Sequence, residues 1–101
     1  MTTADILRNA AARVLLGWTR NTYARDAQGH EVGSGSDAAA QWCAVGAVMC
    51  EAGPRASAVL ALMGGAGKVI EQNDHVWTSA QEAAAAMLAA ADAADRAAPT
   101  R

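Results

Sequence analysis

The sequence predicts a mainly α-helical fold: a compact bundle of four or five short helices around a central apolar helix, with one small β-hairpin. Apolar residues recur at three- and four-residue spacing along most of the chain, which is typical of amphipathic helices. One stretch, residues 17–35, instead carries aromatic and β-branched residues around a turn motif. Because 101 residues suit one core, we expect a single helical domain over residues 1–96 and a frayed C-terminal tail at residues 97–101.

The first helix is predicted from Thr3 to Leu16. Thr2 or Thr3 suits its N-cap, Asp5 carries a negative charge in its first turn, and Gly17 suits its end. Its apolar stripe repeats at helical spacing and consists of Ile6, Leu7, Ala10, Ala11, Val14 and Leu15.

The hairpin is predicted over residues 22–32, with one strand at 22–25 and the other at 30–32. Asp26 suits the start of a type I turn, and Gly29 suits the left-handed position that follows it. A two-stranded ribbon is marginal alone, so we expect it to pack on the helices. The residues available for that packing are Trp18, Tyr23 and Val32.

The central helix is predicted over residues 38–52, beginning after Ser36 or Asp37 and ending at Gly53 and Pro54. It is apolar on nearly all sides, as buried helices are. Gly46 lies in its middle, where glycine costs about 1 kcal/mol relative to alanine, so we expect another helix to cross closely there.

Three more helical segments follow. The first covers residues 55–63, and the next makes a turn or two at 68–72 and ends at residues 73–75. The last helix begins after Thr78 or Ser79, because Ser79 and Glu82 have the spacing of a capping box.

Charge and hydropathy exclude several classes of function. The net charge is −2 and the basic residues are scattered, which argues against general nucleic-acid binding. No apolar run is long enough to span a membrane. The start of the chain lacks the basic segment with which an export signal begins, so we expect neither membrane insertion nor export. Cys43 and Cys50, seven residues apart in one predicted helix, are too distant for a disulfide. Two free thiols favour the cytoplasm.

Two known ligand-binding motifs, the phosphate loop and the zinc site, are not complete in this sequence. The stretch Gly64 to Lys68 has the glycines and the lysine of a phosphate loop, but Val69 follows where that motif needs Ser or Thr. We interpret it as a turn that breaks a helix. Two cysteines seven apart and two distant histidines do not match a zinc motif, so we expect no metal and no cofactor.

A thiol enzyme is one functional hypothesis. Cys43 could act with His30 or His75 as base, oriented by one of Asp26, Asp37 or Asp74. Against this, Cys43 is predicted about five residues inside the central helix, far from the N-terminal amides that lower a thiol pKa, and its neighbours are apolar. We therefore interpret it as a packed core cysteine.

The leading hypothesis is a non-enzymatic binding or accessory protein that acts by protein–protein interaction. Interfaces favour aromatic residues and arginine, and the segment around the hairpin is rich in both. Its candidate binding residues are Trp18, Arg20, Tyr23, Arg25, Asp26 and His30. Two interpretations stay open: the aromatic residues close the core, or the alanine-rich last helix forms a homo-oligomer.

The order of these segments resembles a family of small proteins of unknown function found in actinobacteria and bacteriophages. The resemblance runs from Gly17 to about Ala91 and rests on GW, ARD, WCA-x-GA and ND, of which WCA-x-GA is the most specific. Gln72 stands where that pattern has a tryptophan. The resemblance implies a compact fold and a phage or mobile-element origin, and it implies no activity.

Overall fold

The computed structural model describes residues 1–97, and its first helix, α1, covers Thr3–Leu16 as the sequence predicts. The Thr2 hydroxyl accepts the Asp5 N–H (3.1 Å), and the Asp5 carboxylate accepts the Thr2 N–H (2.9 Å). The Thr2 N–H first, and then the Thr2 side chain, lower the pKa of Asp5 by hydrogen bonding to its carboxylate. The N-terminal end of α1 is fixed by residues next to it in sequence, which is why it could be predicted.

The predicted hairpin is present, and strand β1 (Ala24–Asp26) is its first arm. Asp26 donates its N–H to the His30 carbonyl (2.8 Å) and accepts from the Gly29 N–H (3.0 Å), and Arg25 forms a β-bridge with Glu31. Gly29 has φ +87°, the left-handed conformation that this turn requires. The predicted class, mainly helical with one small antiparallel hairpin, is confirmed.

The main partner of β1 is a strand that was not predicted. Strand β2 (Ala39–Trp42) runs antiparallel to β1, and helix α2 covers Ala44–Ala52. The prediction of helix over residues 38–43 was therefore wrong. Trp42 also donates its N–H to the Gly17 carbonyl and accepts from the Thr19 N–H. Pairing with distant segments thus outweighs the helix propensity of the alanines.

Helix α2 is the central apolar helix. It contacts α1, β2 and the two helices that follow it, and residues 44–48 are all buried. The close approach predicted at Gly46 occurs, but its partner is the Tyr23 carbonyl and not a helix. A Cβ at Gly46 would lie 2.8 Å from the Tyr23 carbonyl carbon and closer still to its oxygen.

The remaining helices are α3 (Ala56–Ala61), α4 (Ala66–His75) and α5 (Ala80–Ala97), and a short 3₁₀ turn (Gly53–Arg55) precedes α3. Gly64 and Gly65 separate α3 from α4, as predicted. Helix α4 is longer than expected at both ends: it begins at Ala66, inside the predicted turn, and it includes residues 73–75, which were expected to end it.

Helix α5 begins at a cap on its predicted residues. Ser79 accepts the Glu82 N–H (3.2 Å), while the Glu82 carboxylate accepts the Thr78 N–H (2.7 Å). The helix packs against α1 and continues to Ala97. Residues 98–101 of the predicted frayed tail lie outside the described residues.

Within residues 1–97 no single helix has the length and hydropathy to cross a membrane. Residues 44–61 and α4 are together long and apolar enough to do so, but the two segments meet at a bend of 93°.

Candidate functional site

Asn73 lies at the centre of the hydrogen-bond network beneath the hairpin. Its side chain is completely buried in α4. The side-chain oxygen Oδ1 accepts from the Trp18 indole Nε1 (2.8 Å) and from the Ala44 N–H (3.0 Å), the first amide of α2. The side-chain nitrogen Nδ2 donates to the Thr19 carbonyl (3.1 Å). One amide group therefore joins α4, the N-terminus of α2 and the segment that leads into the hairpin.

Asp74 extends this network to the surface. Its Oδ1 accepts from Asn73 Nδ2 (3.0 Å) and from the Asn21 N–H (2.9 Å). Asn21 has φ +67°, a left-handed conformation that asparagine tolerates better than most residues. The Asp74 carboxylate thus holds the sharp bend just before Thr22 and Tyr23.

Arg25 is used within the hairpin segment. Its guanidinium donates to the Thr19 hydroxyl (2.9 Å) and to the Gly29 carbonyl (3.1 Å), with a longer contact to the Arg20 carbonyl (3.4 Å). It therefore ties the start of the segment to the hairpin turn. This predicted binding residue has a clear positioning role.

Asp26 stabilises the turn itself. Its carboxylate accepts from the backbone N–H groups of Gln28 (3.0 Å) and His30 (2.9 Å), and these hydrogen bonds, the His30 one first, lower the pKa of Asp26. The exposed His30 imidazole lies 3.4 Å from the same carboxylate. Asp26 and His30 are thus neighbours at the hairpin turn.

Trp18 and Arg20 form a stacked pair at the start of the segment. The Arg20 guanidinium carbon lies 5.0 Å from the centre of the Trp18 ring, a cation–π distance. Trp18 is half-buried and its indole N–H is used by Asn73, so it contributes mainly to the core. Arg20 Nε is buried without a hydrogen-bond partner among the described residues.

A cleft of about 370 Å³ opens between the hairpin segment and α4, within the size range of small-ligand sites. Tyr23, at the cleft, is 46% exposed, whereas Cys43 is nearly inaccessible. Glu31 is exposed and Asp74 half-buried. We call this feature the Tyr23 cleft; its lining residues are Asn21, Thr22, Tyr23, Glu31, Cys43, Ile70 and Asp74.

Cys43 is the N-cap of α2. The prediction that it lies about five residues inside the helix was therefore wrong. Its sulfur accepts the Gly46 N–H (3.2 Å), a contact that would favour a thiolate. Burial nevertheless raises the pKa of Cys43 and outweighs that hydrogen bond. Both histidines are exposed, and within residues 1–97 the cleft lining contains neither. Burial at this site therefore favours the neutral thiol over the thiolate.

Asn73 was not predicted as the organising residue. The lining residues that were not among the predicted binding residues are Asn21, Thr22, Glu31, Cys43, Ile70 and Asp74. One pattern could have identified Asn73. It follows Val69 by four residues, on the side of α4 that is buried, so it is a polar residue at a core position. A buried amide requires partners, and partners imply a network.

The residues quoted for the family resemblance meet around this network. Trp18 of GW donates to Asn73 of ND, Cys43 of WCA-x-GA donates its N–H to the Tyr23 carbonyl (3.1 Å), and Gly46 lies against that carbonyl. The pattern thus describes how the hairpin segment is attached to α2 and α4. Within residues 1–97, no three metal-ligating side chains converge.

Comparison with known protein families gives a match over most of the chain. The model of a family of unknown function (DUF6197) matches residues 1–93, in agreement with the resemblance to a family without known activity. No curated protein and no solved structure matches the chain.

Proposed function

We propose that this chain, which belongs to the family of unknown function DUF6197, is a non-enzymatic binding protein that contacts a protein partner through Tyr23 and the adjoining Tyr23 cleft. The observation that carries the proposal is a half-exposed tyrosine on a rigid backbone. The Tyr23 carbonyl accepts the Cys43 N–H (3.1 Å) and packs against Gly46, while 46% of the residue stays exposed.

Rigidity matters because binding loses free energy when it must order a loop. An interface side chain that is ordered on binding costs about 0.5–1.5 kcal/mol, and a loop that is already fixed avoids much of this cost. Asp74, Arg25 and Asp26 all hold the hairpin segment through hydrogen bonds. Aromatic anchors on rigid backbones are frequent among the residues that dominate interface affinity.

The thiol-enzyme alternative, Cys43 with His30 or His75, has weaker support. A nucleophilic cysteine needs an accessible thiolate. Cys43 is 4% exposed and burial raises its pKa.

The homo-oligomer alternative relied on close approach between the alanines of α5. Several of these alanines are already used inside the chain, because the buried side of α5 packs against α1. The buried residues on that side are Ala83, Ala84, Met87 and Ala91.

The proposal includes a phage or mobile-element origin, on the family resemblance alone, and a cytoplasmic location. The location is supported by two free cysteines, which suit a reducing compartment.

The test is affinity capture from host lysate with three tagged baits: wild type, Tyr23→Ala and Leu88→Ala. Leu88 is a matched control, because it is a large, partly exposed side chain on α5, outside the cleft lining. We expect a partner that wild type and Leu88→Ala retain and Tyr23→Ala loses. Equal capture by all three baits would remove the Tyr23 cleft from the proposal.

A further inference from the structure

We infer that the Tyr23 cleft receives a cationic side chain, a lysine or an arginine, from the partner protein. The inference rests on the proposed function, since it names the chemistry that the same cleft would recognise. It is carried by the charge, shape and composition of the cleft.

The charges of the cleft have one sign. Glu31 and Asp74 contribute carboxylates, and no lysine or arginine is among the lining residues within the described chain. Neither carboxylate has an ion-pair partner within residues 1–97, where the ion pairs involve Arg8, Arg13 and His30. An anionic ligand would be repelled here, whereas an ammonium or guanidinium group would gain two opposite charges.

The remaining lining suits the stem of such a side chain. Ile70 and Cys43 supply apolar surface, and lysine and arginine carry three or four methylene groups that pack on such surface. Tyr23 supplies an aromatic ring, whose face attracts cations. A cleft of about 370 Å³ accommodates one long side chain and leaves the rest of the partner to contact the exposed hairpin.

The test is an NMR titration of the whole ¹⁵N-labelled chain with two capped tripeptides. One is N-acetyl-Gly-Arg-Gly-amide, and the other replaces arginine by citrulline, which has nearly the same shape without the charge. The backbone amides of Thr22, Tyr23, Glu31 and Ile70 report on the cleft. We expect saturable shifts at these amides with the arginine peptide and binding at least about fivefold weaker with citrulline.

Three carboxylate variants make the result specific. Glu31→Gln and Asp74→Asn each remove one charge while retaining an oxygen, so Asn21 keeps its hydrogen-bond acceptor in Asp74→Asn. Each should weaken binding of the arginine peptide by about two- to fivefold. Asp37→Asn is the control, because Asp37 is exposed and does not line the cleft, and it should leave the affinity unchanged.

Two results would overturn the inference: equal binding of the two peptides, or no shift at the cleft amides. Equal binding would preserve the cleft as a binding surface and refute its preference for cations. No binding of either peptide, combined with a partner that depends on Tyr23 in the capture experiment, would refute the cationic ligand and leave the proposed function intact. If Tyr23→Ala captured the partner as well as wild type does, the proposed function would be refuted instead.

Discussion

Asn73 illustrates how one buried amide can position a surface that it does not belong to. Its oxygen and nitrogen satisfy the Trp18 indole, the Ala44 N–H and the Thr19 carbonyl. The Ala44 N–H and the Thr19 carbonyl are buried and would otherwise lack a partner, and the half-buried Trp18 indole N–H would lose its partner. Such unsatisfied groups cost about 1–3 kcal/mol each.

We therefore expect Asn73→Ala to lower the free energy of unfolding by about 2–4 kcal/mol, a large part of the stability of a small domain. Urea denaturation followed by circular dichroism measures this change. Asn9→Ala is the control, because Asn9 is exposed on α1, and it should change stability by less than about 0.5 kcal/mol. A loss below about 1 kcal/mol for Asn73→Ala would contradict the central role of this residue.

Cys43 gives a second prediction at the residue scale. Because its thiol is buried and its pKa is raised, we expect it to react with iodoacetamide much more slowly in the native protein than in urea at the same pH. Cys50, which is less buried, is an internal comparison and should react first. Peptide mapping by mass spectrometry separates the two sites. Rapid native labelling of Cys43 would revive the thiol-enzyme hypothesis.

At the residue scale, the sequence indicated which side chains lie around the hairpin, but it did not indicate which of them bind a partner and which hold the hairpin. Tyr23 was a candidate binding residue, and it is the exposed aromatic residue among the candidates. Arg25 and Asp26 were candidates too, but their hydrogen bonds hold the hairpin. Charged residues near a turn have the same appearance in sequence whether they bind a partner or their own backbone, because only the folded chain brings acceptors such as the Thr19 hydroxyl within reach.

Among the elements, α1 and the hairpin turn could be predicted because their determinants are local. Thr2 and Asp5 are three residues apart, as are Asp26 and Gly29. Strand β2 could not be predicted, because its pairing depends on β1 and on Gly17, both distant in sequence. Alanine favours helix, so local propensity alone extends α2 to residue 38.

The packing of α2 on the hairpin segment predicts opposite effects for two Gly→Ala substitutions. Alanine favours helix by about 1 kcal/mol over glycine, but a Cβ at Gly46 collides with the Tyr23 carbonyl. We expect Gly46→Ala to destabilise the protein by about 2 kcal/mol, since overpacking costs about 1–3 kcal/mol. At Gly67 in α4 an added Cβ would meet no atom within 4 Å beyond its chain neighbours and the nearby backbone of its own helix, so Gly67→Ala should stabilise by about 0.5 kcal/mol.

Thermal and urea unfolding of both variants measure these signs. If Gly46→Ala were as stable as wild type, the hairpin segment would have to shift freely away from α2. That outcome would contradict the rigid backbone on which the Tyr23 cleft depends.

In the whole molecule, the Tyr23 cleft unites segments that are far apart in sequence. Tyr23 and Glu31 come from the hairpin segment, Cys43 from the start of α2, and Ile70 and Asp74 from α4. No local pattern indicates that these residues meet, because their proximity follows from how α4 packs on α2. The fold class could be predicted from helical periodicity, whereas the cleft required the tertiary arrangement.

The affinity of the captured partner for purified variants tests the central claim most directly, namely that Tyr23 anchors a binding surface. Isothermal titration calorimetry compares wild type, Tyr23→Ala and Leu88→Ala. We predict that Tyr23→Ala raises Kd by about tenfold or more, the effect of losing at least about 1.4 kcal/mol at an aromatic anchor, and that Leu88→Ala changes Kd by less than about twofold. An unchanged Kd for Tyr23→Ala, or a larger loss for Leu88→Ala, would contradict it.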